Sequence, residues 1–203
     1  MSETLLPLVL FVIVAVGTPG PNNAMLLASG ANFGVRRALP HYLGVNLGFT
    51  AMVFVVAAGL GATLLQFPIF SAVLRFVGIT YLLYLAFRIA TAETSGTQAG
   101  RGQPITFTEA ALFQWVNPKA WIMATSASVT YATGHSDPIV QAMVLAAVFL
   151  VAGSPFSGIW LVGGAAVSKW LSSSRRRRIF NGAMAGLLVL SVLPILAETI
   201  WHG

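Results

Sequence analysis

The 203-residue sequence contains no cysteine. That absence excludes structural disulfides, thiolate catalysis, iron–sulfur clusters and cysteine-ligated zinc. Charge is scarce as well, because only 8% of the residues are Asp, Glu, Lys or Arg, against about 25% in a typical soluble protein. A chain with so few charges cannot cover a water-facing surface. An ordinary soluble globular fold is therefore excluded.

Long charge-free stretches are the dominant feature of the chain. No charged residue occurs in 4–35, 38–74 or 138–168, and the mean hydropathy of the whole sequence is +0.83. Each stretch exceeds the roughly 20 apolar residues that a helix needs to cross a bilayer core. The apolar composition argues against disorder, and the runs lack the period-two alternation of a porin-like barrel. The sequence predicts an all-α membrane protein.

Charges and turn residues divide the apolar runs into six candidate transmembrane helices. We place them at 5–29, 39–64, 68–91, 107–131, 138–165 and 179–200. Asp137 predicts an N-cap for the fifth helix, and Thr106 with Glu109 has the spacing of a capping box before the fourth. Four prolines lie in predicted first turns, where a missing N–H is tolerated: Pro7, Pro40, Pro68 and Pro138.

Basic residues are concentrated in the connections on one side of the predicted membrane. The other side holds acidic residues and no basic residue in its connections, so the positive-inside rule places both termini outside the cytoplasm. The run Arg175–Arg178 could contact anionic lipid or nucleic acid, but the charge map favours a topology anchor, and we predict no nucleic-acid partner. The cytoplasmic basic residues are Arg36, Arg37, Arg88, Arg101, Lys169 and Arg175–Arg178; the outer acidic residues are Glu3, Asp137 and Glu198.

A single polar linker divides the chain. Residues 91–103 are rich in Gly, Ser and Thr, which predicts a flexible cytoplasmic connection. We expect one transmembrane domain, 1–203, with three-helix repeats at 1–91 and 107–203 joined by the linker 92–106. Because three is odd, the second repeat must run across the membrane in the opposite direction.

The leading helix of each repeat contains a polar interruption. The first is TPGPNN at 18–23, and the second is WVNPKAW at 115–121. Each proline removes a helical hydrogen bond, so both helices should come apart and leave backbone groups unpaired. Such groups are costly in hydrocarbon unless protein or a water-filled cavity receives them. Paired interruptions in inverted halves are typical of a transporter's binding site.

The two interruptions predict a site for a small zwitterion. Amides at the start of the half-helix after Pro21 would attract a carboxylate, and freed carbonyls would accept from an ammonium group. Helices kinked only for packing are the alternative, which we prefer for Pro155 and Pro194. The predicted substrate-binding residues are Pro19, Gly20, Pro21, Asn22, Asn23, Asn46, Asn117, Pro118 and Lys119.

Lys119 is the most informative of these residues. A charge at the bilayer centre costs about 2.5–3.5 kcal/mol on insertion scales, so it needs a partner. Glu109, ten residues earlier, would lie about 15 Å away along the helix. Lys119 must therefore meet a freed carbonyl, cavity water or a substrate carboxylate. We favour the last two, with snorkelling to the interface as the alternative.

Four other groups of residues allow more than one interpretation. Arg75 snorkels outward or acts as a gate. Tyr81 and Tyr84 line the cavity or pack in the core. His41 and His135 are expected near opposite faces, so proton coupling would have to involve Lys119, the substrate's own groups or a displaced acid. The GxxxG pairs favour internal packing over a homodimer, and they are Gly30–Gly34, Gly44–Gly48 and Gly182–Gly186.

At these residues the sequence resembles the LysE/RhtB family of bacterial amino-acid exporters. Residues 19–23 (PGPNN) are similar to its PGPN motif, and residues 117–120 (NPKA) to its fourth-helix motif. The doubled Asn is similar to the cysteine and O-acetylserine exporter branch. Weaker similarity covers the loop and helix after the first span and the third helix: 34–38, Gly44, Gly48, Gly78 and 81–85. The resemblance implies export from the cytoplasm, driven by the membrane potential or the proton gradient.

We predict an inner-membrane secondary carrier that exports small neutral amino acids or related metabolites by alternating access. Membrane lipid and the amino acid are its expected partners, and no cofactor or metal is expected. A channel with the same polar lining is one alternative, and a structural subunit of a membrane complex is another. An enzyme is least favoured, because we find no Ser/His/Asp set, metal-ligand cluster or Gly-rich phosphate loop.

Overall fold

The computed structural model describes residues 2–61, 66–92, 103–131, 137–193 and 196. Within those ranges the chain forms helices and turns and contains no β-strand, which confirms the all-α prediction there. The α-helices are α1 (Ser2–Gly17), α2 (Pro21–Val55), α3 (Pro68–Ala90), α4 (Phe107–Gln114), α5 (Pro118–Thr130), α6 (Pro138–Val148), α7 (Ser154–Val167) and α8 (Ser174–Leu190).

Single π-helical turns extend two of the apolar helices. Val56–Leu60 continues α2, and Phe149–Gly153 joins α6 to α7. In the part of the chain that the structure describes, three continuous helices are long and apolar enough to cross a membrane, and α1 is apolar but shorter. They are Pro21–Leu60, Ala72–Ala90 and Pro138–Trp170. The six predicted spans therefore do not each correspond to one helix, because two are interrupted and two share α2.

Gly34 bends α2 sharply. Its φ of 75° and ψ of 166° are not helical, and this positive φ suits glycine. Ser29 Oγ and His41 Nδ1 lie 2.9 Å apart, whereas residues twelve positions apart in a straight helix are separated by about 18 Å. The chain therefore turns back on itself at Gly34. The loop predicted between the first two spans is replaced by this one non-helical residue.

The predicted helix boundaries are correct at three starts. The Thr106 side chain accepts from the Glu109 backbone N–H at 3.2 Å while the Glu109 side chain accepts from the Thr106 N–H, which completes the capping box. Asp137 accepts from the Ile139 N–H at 2.7 Å. Pro68 and Pro138 begin α3 and α6, as predicted. These local signals need only neighbouring residues, which explains why the sequence reveals them.

Other boundaries are wrong because the helices begin earlier than predicted. Pro7 and Pro40 lie inside α1 and α2 rather than in first turns. The run 175–178 is helical, because Ser173 caps α8 by accepting from the Arg176 N–H. Most of the linker, and with it Glu93, Arg101, His135, Pro194 and Glu198, lies outside the described residues.

Two apolar clusters form the core, one toward each end of the helices. The first includes Leu82, Phe113 and Leu188, and the second includes Val12, Met52 and Ala124. Val45 belongs to the first cluster and Phe49, one turn later on α2, belongs to the second. The level of Val45 and Phe49 therefore marks the boundary between the clusters.

Close helix contacts depend on four glycines. A Cβ at Gly30 would lie 2.1 Å from the Leu161 carbonyl oxygen, and one at Gly164 would lie 2.0 Å from that of Leu27. Gly44 and Gly48 similarly contact the backbone of α4. Both members of the Gly44–Gly48 pair therefore take part in the predicted internal packing, whereas only Gly30 of the Gly30–Gly34 pair does, because a Cβ at Gly34 would meet nothing within 4 Å. A Cβ at Gly182 or Gly186 would meet nothing within 4 Å, so the third pair does not pack against described residues.

Candidate functional site

The first interruption separates α1 from α2. Residues Thr18–Gly20 are not helical, and Pro21 is the first residue of α2. Gly20 stands at the N-cap position, where glycine has no side chain to satisfy the first amides of the helix. The N-terminus of α2 therefore presents unpaired N–H groups and the positive end of a helix dipole.

The second interruption separates α4 from α5. Asn117 has an extended backbone (φ −86°, ψ 110°), as expected for the residue before Pro118. Its side-chain oxygen accepts from the Lys119 N–H at 3.1 Å. Trp121 Nε1 donates to the freed Trp115 carbonyl at 2.8 Å. Both leading helices are thus broken at the predicted places, and side chains from the chain itself bind part of the exposed backbone.

Both interruptions open onto one cavity at the boundary between the two apolar clusters. The space free of protein atoms is about 490 Å³ when the open solvent at the mouth of the cavity is included. Of its lining residues, all of which lie in described parts of the chain, Lys119 alone is ionisable. The polar lining residues are Asn22, Asn23, Asn46, Asn117, Lys119 and Ser157; Gly20, Val45, Phe49, Met123, Phe149 and Gly153 are among the others.

The Lys119 ammonium group joins the two interruptions. Its Nζ donates to the Thr18 carbonyl at 2.8 Å, to Thr18 Oγ1 at 2.9 Å and to the Pro19 carbonyl at 3.3 Å. A Cβ at Gly20 would lie 2.9 Å from Lys119 Cδ, so glycine leaves room for the lysine stem. The sequence analysis considered three partners for the Lys119 ammonium: a freed carbonyl, cavity water and a substrate carboxylate. In the structure the ammonium binds freed carbonyls, and not the water or carboxylate that we favoured.

Asn23 stabilises the open end of α1. Its side chain is buried, and Nδ2 donates to the Val16 carbonyl at 2.7 Å and to the Thr18 carbonyl at 2.8 Å. These bonds replace helical hydrogen bonds that the prolines prevent. Asn23 therefore supports the shape of the site as well as lining it.

Amide pairs and a hydroxyl connect the remaining polar groups. Asn22 and Gln114 form a reciprocal pair, with bonds of 2.8 Å and 3.1 Å, and Gln114 is fully buried. Ser157 Oγ donates to Asn46 Oδ1 at 2.9 Å, while Asn46 Nδ2 donates to the Tyr42 carbonyl at 2.7 Å. These contacts tie α2 to α4 and to α7 around the cavity.

Six of the nine predicted site residues line the cavity: Gly20, Asn22, Asn23, Asn46, Asn117 and Lys119. Pro19, Pro21 and Pro118 are not among the lining residues, but they form the interruptions, and the Pro19 carbonyl accepts from Lys119. Whether any of the nine binds substrate stays a prediction. Tyr81 packs on Tyr84 and Phe113, with ring centroids 6.0 and 5.6 Å away, and none of the three lines the cavity.

Three lining or supporting features escape the sequence analysis. Gln114 and Ser157 contact the polar cluster from α4 and α7, and the π-helical turn Phe149–Gly153 contributes two lining residues. Pro155, two residues before Ser157, was a signal for this part of the site, but we assigned that proline to packing. Arg75 is exposed on α3 and lies away from the cavity lining.

A family model described as LysE type translocator matches residues 12–196. The chain belongs to this family. Because the match includes both interruptions and every cavity residue, the resemblance noted from the two motifs is confirmed. LysE-type translocators are membrane transporters, so the chain is a helical membrane protein of a transport family.

Curated relatives agree with this family. The chain is 27% identical over 188 residues to the cysteine/O-acetylserine efflux protein of Escherichia coli (strain K12), covering 91% of this chain and 93% of the relative. It is 27% identical over 200 residues to the protein of that name from Klebsiella pneumoniae, with 98% and 100% covered. An uncharacterised membrane protein of Pseudomonas aeruginosa is 28% identical over 196 residues, with 91% and 89% covered. No solved structure matches the chain.

Proposed function

We propose that this LysE-type translocator is a secondary carrier that exports small neutral amino acids through the cavity between its two interrupted helices. The observation that carries the proposal is the Lys119 contact, because it brings residues 101 positions apart into one polar cavity. Family membership supports amino-acid export. The named relatives support cysteine and O-acetylserine as substrates to test.

The chemistry of the cavity suits a neutral amino acid. The unpaired amides at the start of α2 and the Lys119 ammonium would bind a carboxylate from two sides. The side-chain oxygen of Asn46 and the freed carbonyls would accept from an ammonium group. The described lining contains no carboxylate, so a cationic side chain such as that of lysine would enter a positive site without a partner and bind poorly.

We further propose that the chain crosses the inner membrane six times as two inverted repeats, 1–91 and 107–203, with both termini outside the cytoplasm. Two correspondences support the repeats. Pro21 and Pro118 each begin the second half of an interrupted helix, and a π-helical turn lies in the second predicted span of each repeat, at Val56–Leu60 and at Phe149–Gly153. The basic residues around the turn at Gly34 and at the start of α8 support the orientation.

Alternating access follows if Lys119 changes partners. In the structure its ammonium holds the end of α1 against α5. A substrate carboxylate bound to Lys119 would compete with the Thr18 and Pro19 carbonyls and weaken that contact. Binding would then favour movement of α1 relative to α5, since a ligand shifts a conformational equilibrium by its differential affinity for the two states.

Counterflow in liposomes tests the proposal. We expect unlabelled O-acetylserine inside liposomes to accelerate entry of labelled cysteine, with a rate that saturates as the cysteine concentration rises. Internal lysine should give little acceleration, because its side chain adds a cation beside Lys119. Entry that rises linearly with concentration and ignores the internal amino acid would indicate a channel instead and would refute the carrier.

A further inference from the structure

A second polar cluster is buried outside the substrate cavity. It consists of Ser29, Asn32, His41 and Asn181, which are at most 8% exposed. Asn32 Nδ2 donates to Asn181 Oδ1 at 2.9 Å, and Ser29 Oγ hydrogen-bonds His41 Nδ1 at 2.9 Å. Ser29 and Asn32 lie one turn apart on the same face of α2. The cluster therefore joins both arms of α2 to α8.

Two atoms in this cluster lack partners. His41 Nε2 and Asn181 Nδ2 are buried, and neither forms a hydrogen bond with any part of the chain that the structure describes. His41 itself is 0% exposed, so the ring is enclosed by protein. An unpaired buried polar atom is costly, and an ionisable side chain within a membrane is seldom retained for packing alone.

The position of the cluster is suited to coupling substrate transport to a second event, because it lies between the cavity and one end of the molecule. His41 lies seven residues after the turn at Gly34 and five residues before Asn46 of the cavity, about 10 Å and 8 Å along the helix. It is therefore between the cavity and the end of the molecule that carries Arg36 and Arg37. Ala38 and Val45, one turn to either side of His41, belong to the first apolar cluster. A substrate that enters from the basic end has to pass this level.

Few charged groups surround His41. Burial keeps water from the ring, and Glu109 of α4 acts on it electrostatically to a lesser extent; Glu109 itself is paired with Arg88 of α3 at 2.8 Å. Arg177 lies one turn before Asn181 on α8, and its Nε is also buried without a partner. Helix α7 contributes no titratable residue. Ser29, Asn32 and Asn181 are uncharged, so His41 is the only member of this cluster whose charge can change.

From this geometry we propose that His41 is the binding site of the proton that drives export, a proposal that rests on the carrier function above. The imidazole gains one proton and becomes imidazolium; both ring nitrogens then donate, Nδ1 to Ser29 Oγ and Nε2 to water admitted when the level opens. The cluster offers one hydroxyl and two side-chain amide oxygens, of which Asn181 Oδ1 already accepts from Asn32. These are fewer than the roughly six oxygens that a hard metal cation takes. A proton is therefore the coupling ion that fits.

In this scheme substrate and proton bind alternately. The carrier exports substrate with His41 neutral and returns with His41 protonated. His41→Asn keeps a hydrogen-bonding atom near the position of Nδ1 but cannot take up the proton. Exchange of one substrate molecule for another uses only the neutral form, whereas net transport against a gradient requires the protonated return.

Two assays on the full-length protein in liposomes separate these steps, with cysteine kept reduced as the labelled probe and the membrane potential clamped. For His41→Asn we expect counterflow within about twofold of wild type, while accumulation driven by a pH gradient falls to the level without a gradient. Ser29→Ala removes the same hydrogen bond but keeps the imidazole. It should retain gradient-driven accumulation with a shifted pH profile.

Each outcome decides one of the two proposals. Normal gradient-driven accumulation in His41→Asn would overturn the proton site, as would its loss in Ser29→Ala, since packing would then explain the defect. A wild-type protein that exchanges cysteine but ignores a pH gradient would overturn the proton site alone. A wild-type protein without counterflow would refute the carrier itself. His41→Gln provides a second non-titrating variant if His41→Asn does not fold.

Discussion

Lys119→Met should reduce the rate of cysteine counterflow about 10- to 100-fold. Charge-assisted hydrogen bonds contribute about 1.5–3 kcal/mol each, and every 1.4 kcal/mol changes an equilibrium tenfold. Methionine preserves much of the length of the apolar stem beside Gly20 but removes the only cation among the described lining residues. The substrate carboxylate would then lose its strongest partner. Initial rates of counterflow, normalised to protein in the liposomes, measure the effect.

A matched control separates this effect from general loss of positive charge. Lys169, in the turn that follows α7, is exposed and lies outside the cavity. Lys169→Met should transport at the wild-type rate. Thr18→Val removes one hydroxyl that accepts from Lys119 while leaving two carbonyl acceptors, so it should have a smaller effect than Lys119→Met. Normal transport by a correctly inserted Lys119→Met protein would disprove the role of the ammonium group.

The double variant Pro19→Ala/Pro21→Ala should lower turnover about tenfold or more. Each proline costs a helix interior about 3 kcal/mol, and alanine restores both the N–H donor and a favourable helical residue. With both replaced, α1 and α2 can join across 18–20 as one helix. The Thr18 and Pro19 carbonyls would then be used within that helix, and the start of α2 would lose its free amides.

Pro7→Ala is the appropriate comparison, because Pro7 is also inside an apolar helix but is exposed and away from the cavity. It should transport normally, and restored helical hydrogen bonding should make it at least as stable as wild type. The two variants are compared by the maximal counterflow rate at saturating cysteine. If the double variant turns over as fast as wild type, the first interruption serves packing and not transport.

The local features of the site were predictable from sequence. Proline determines where a helix loses its hydrogen bonds, so TPGPNN and WVNPKAW indicated both interruptions without knowledge of the fold. Asparagine beside such breaks indicated a polar lining, and six of nine proposed residues do line the cavity. Caps such as that of Thr106 were predictable for the same reason, because each depends on residues only three positions apart.

Features that depend on distant partners were not predictable. Gln114 is paired with Asn22 across 92 positions, and Ser157 with Asn46 across 111. The choice of the Thr18 carbonyl as the partner of Lys119 depends on how α1 and α5 pack, which no local pattern encodes. A change of direction between 29 and 39 was predicted, but not that Gly34 alone makes it, because residues 35–55 continue as helix directly after the turn.

The central claim, that substrate binds where the two interruptions meet, is tested most directly by protection of a single cysteine. The chain has no cysteine, so Ser157→Cys places one thiol in the cavity lining, and Ser172→Cys places one at an exposed control position. We predict that O-acetylserine slows labelling of Ser157→Cys by a thiosulfonate reagent. Half-protection should occur at the concentration that half-saturates counterflow, and Ser172→Cys should be unaffected. Labelling of Ser157→Cys that is unchanged by saturating O-acetylserine, in a protein that still transports it, would contradict the account.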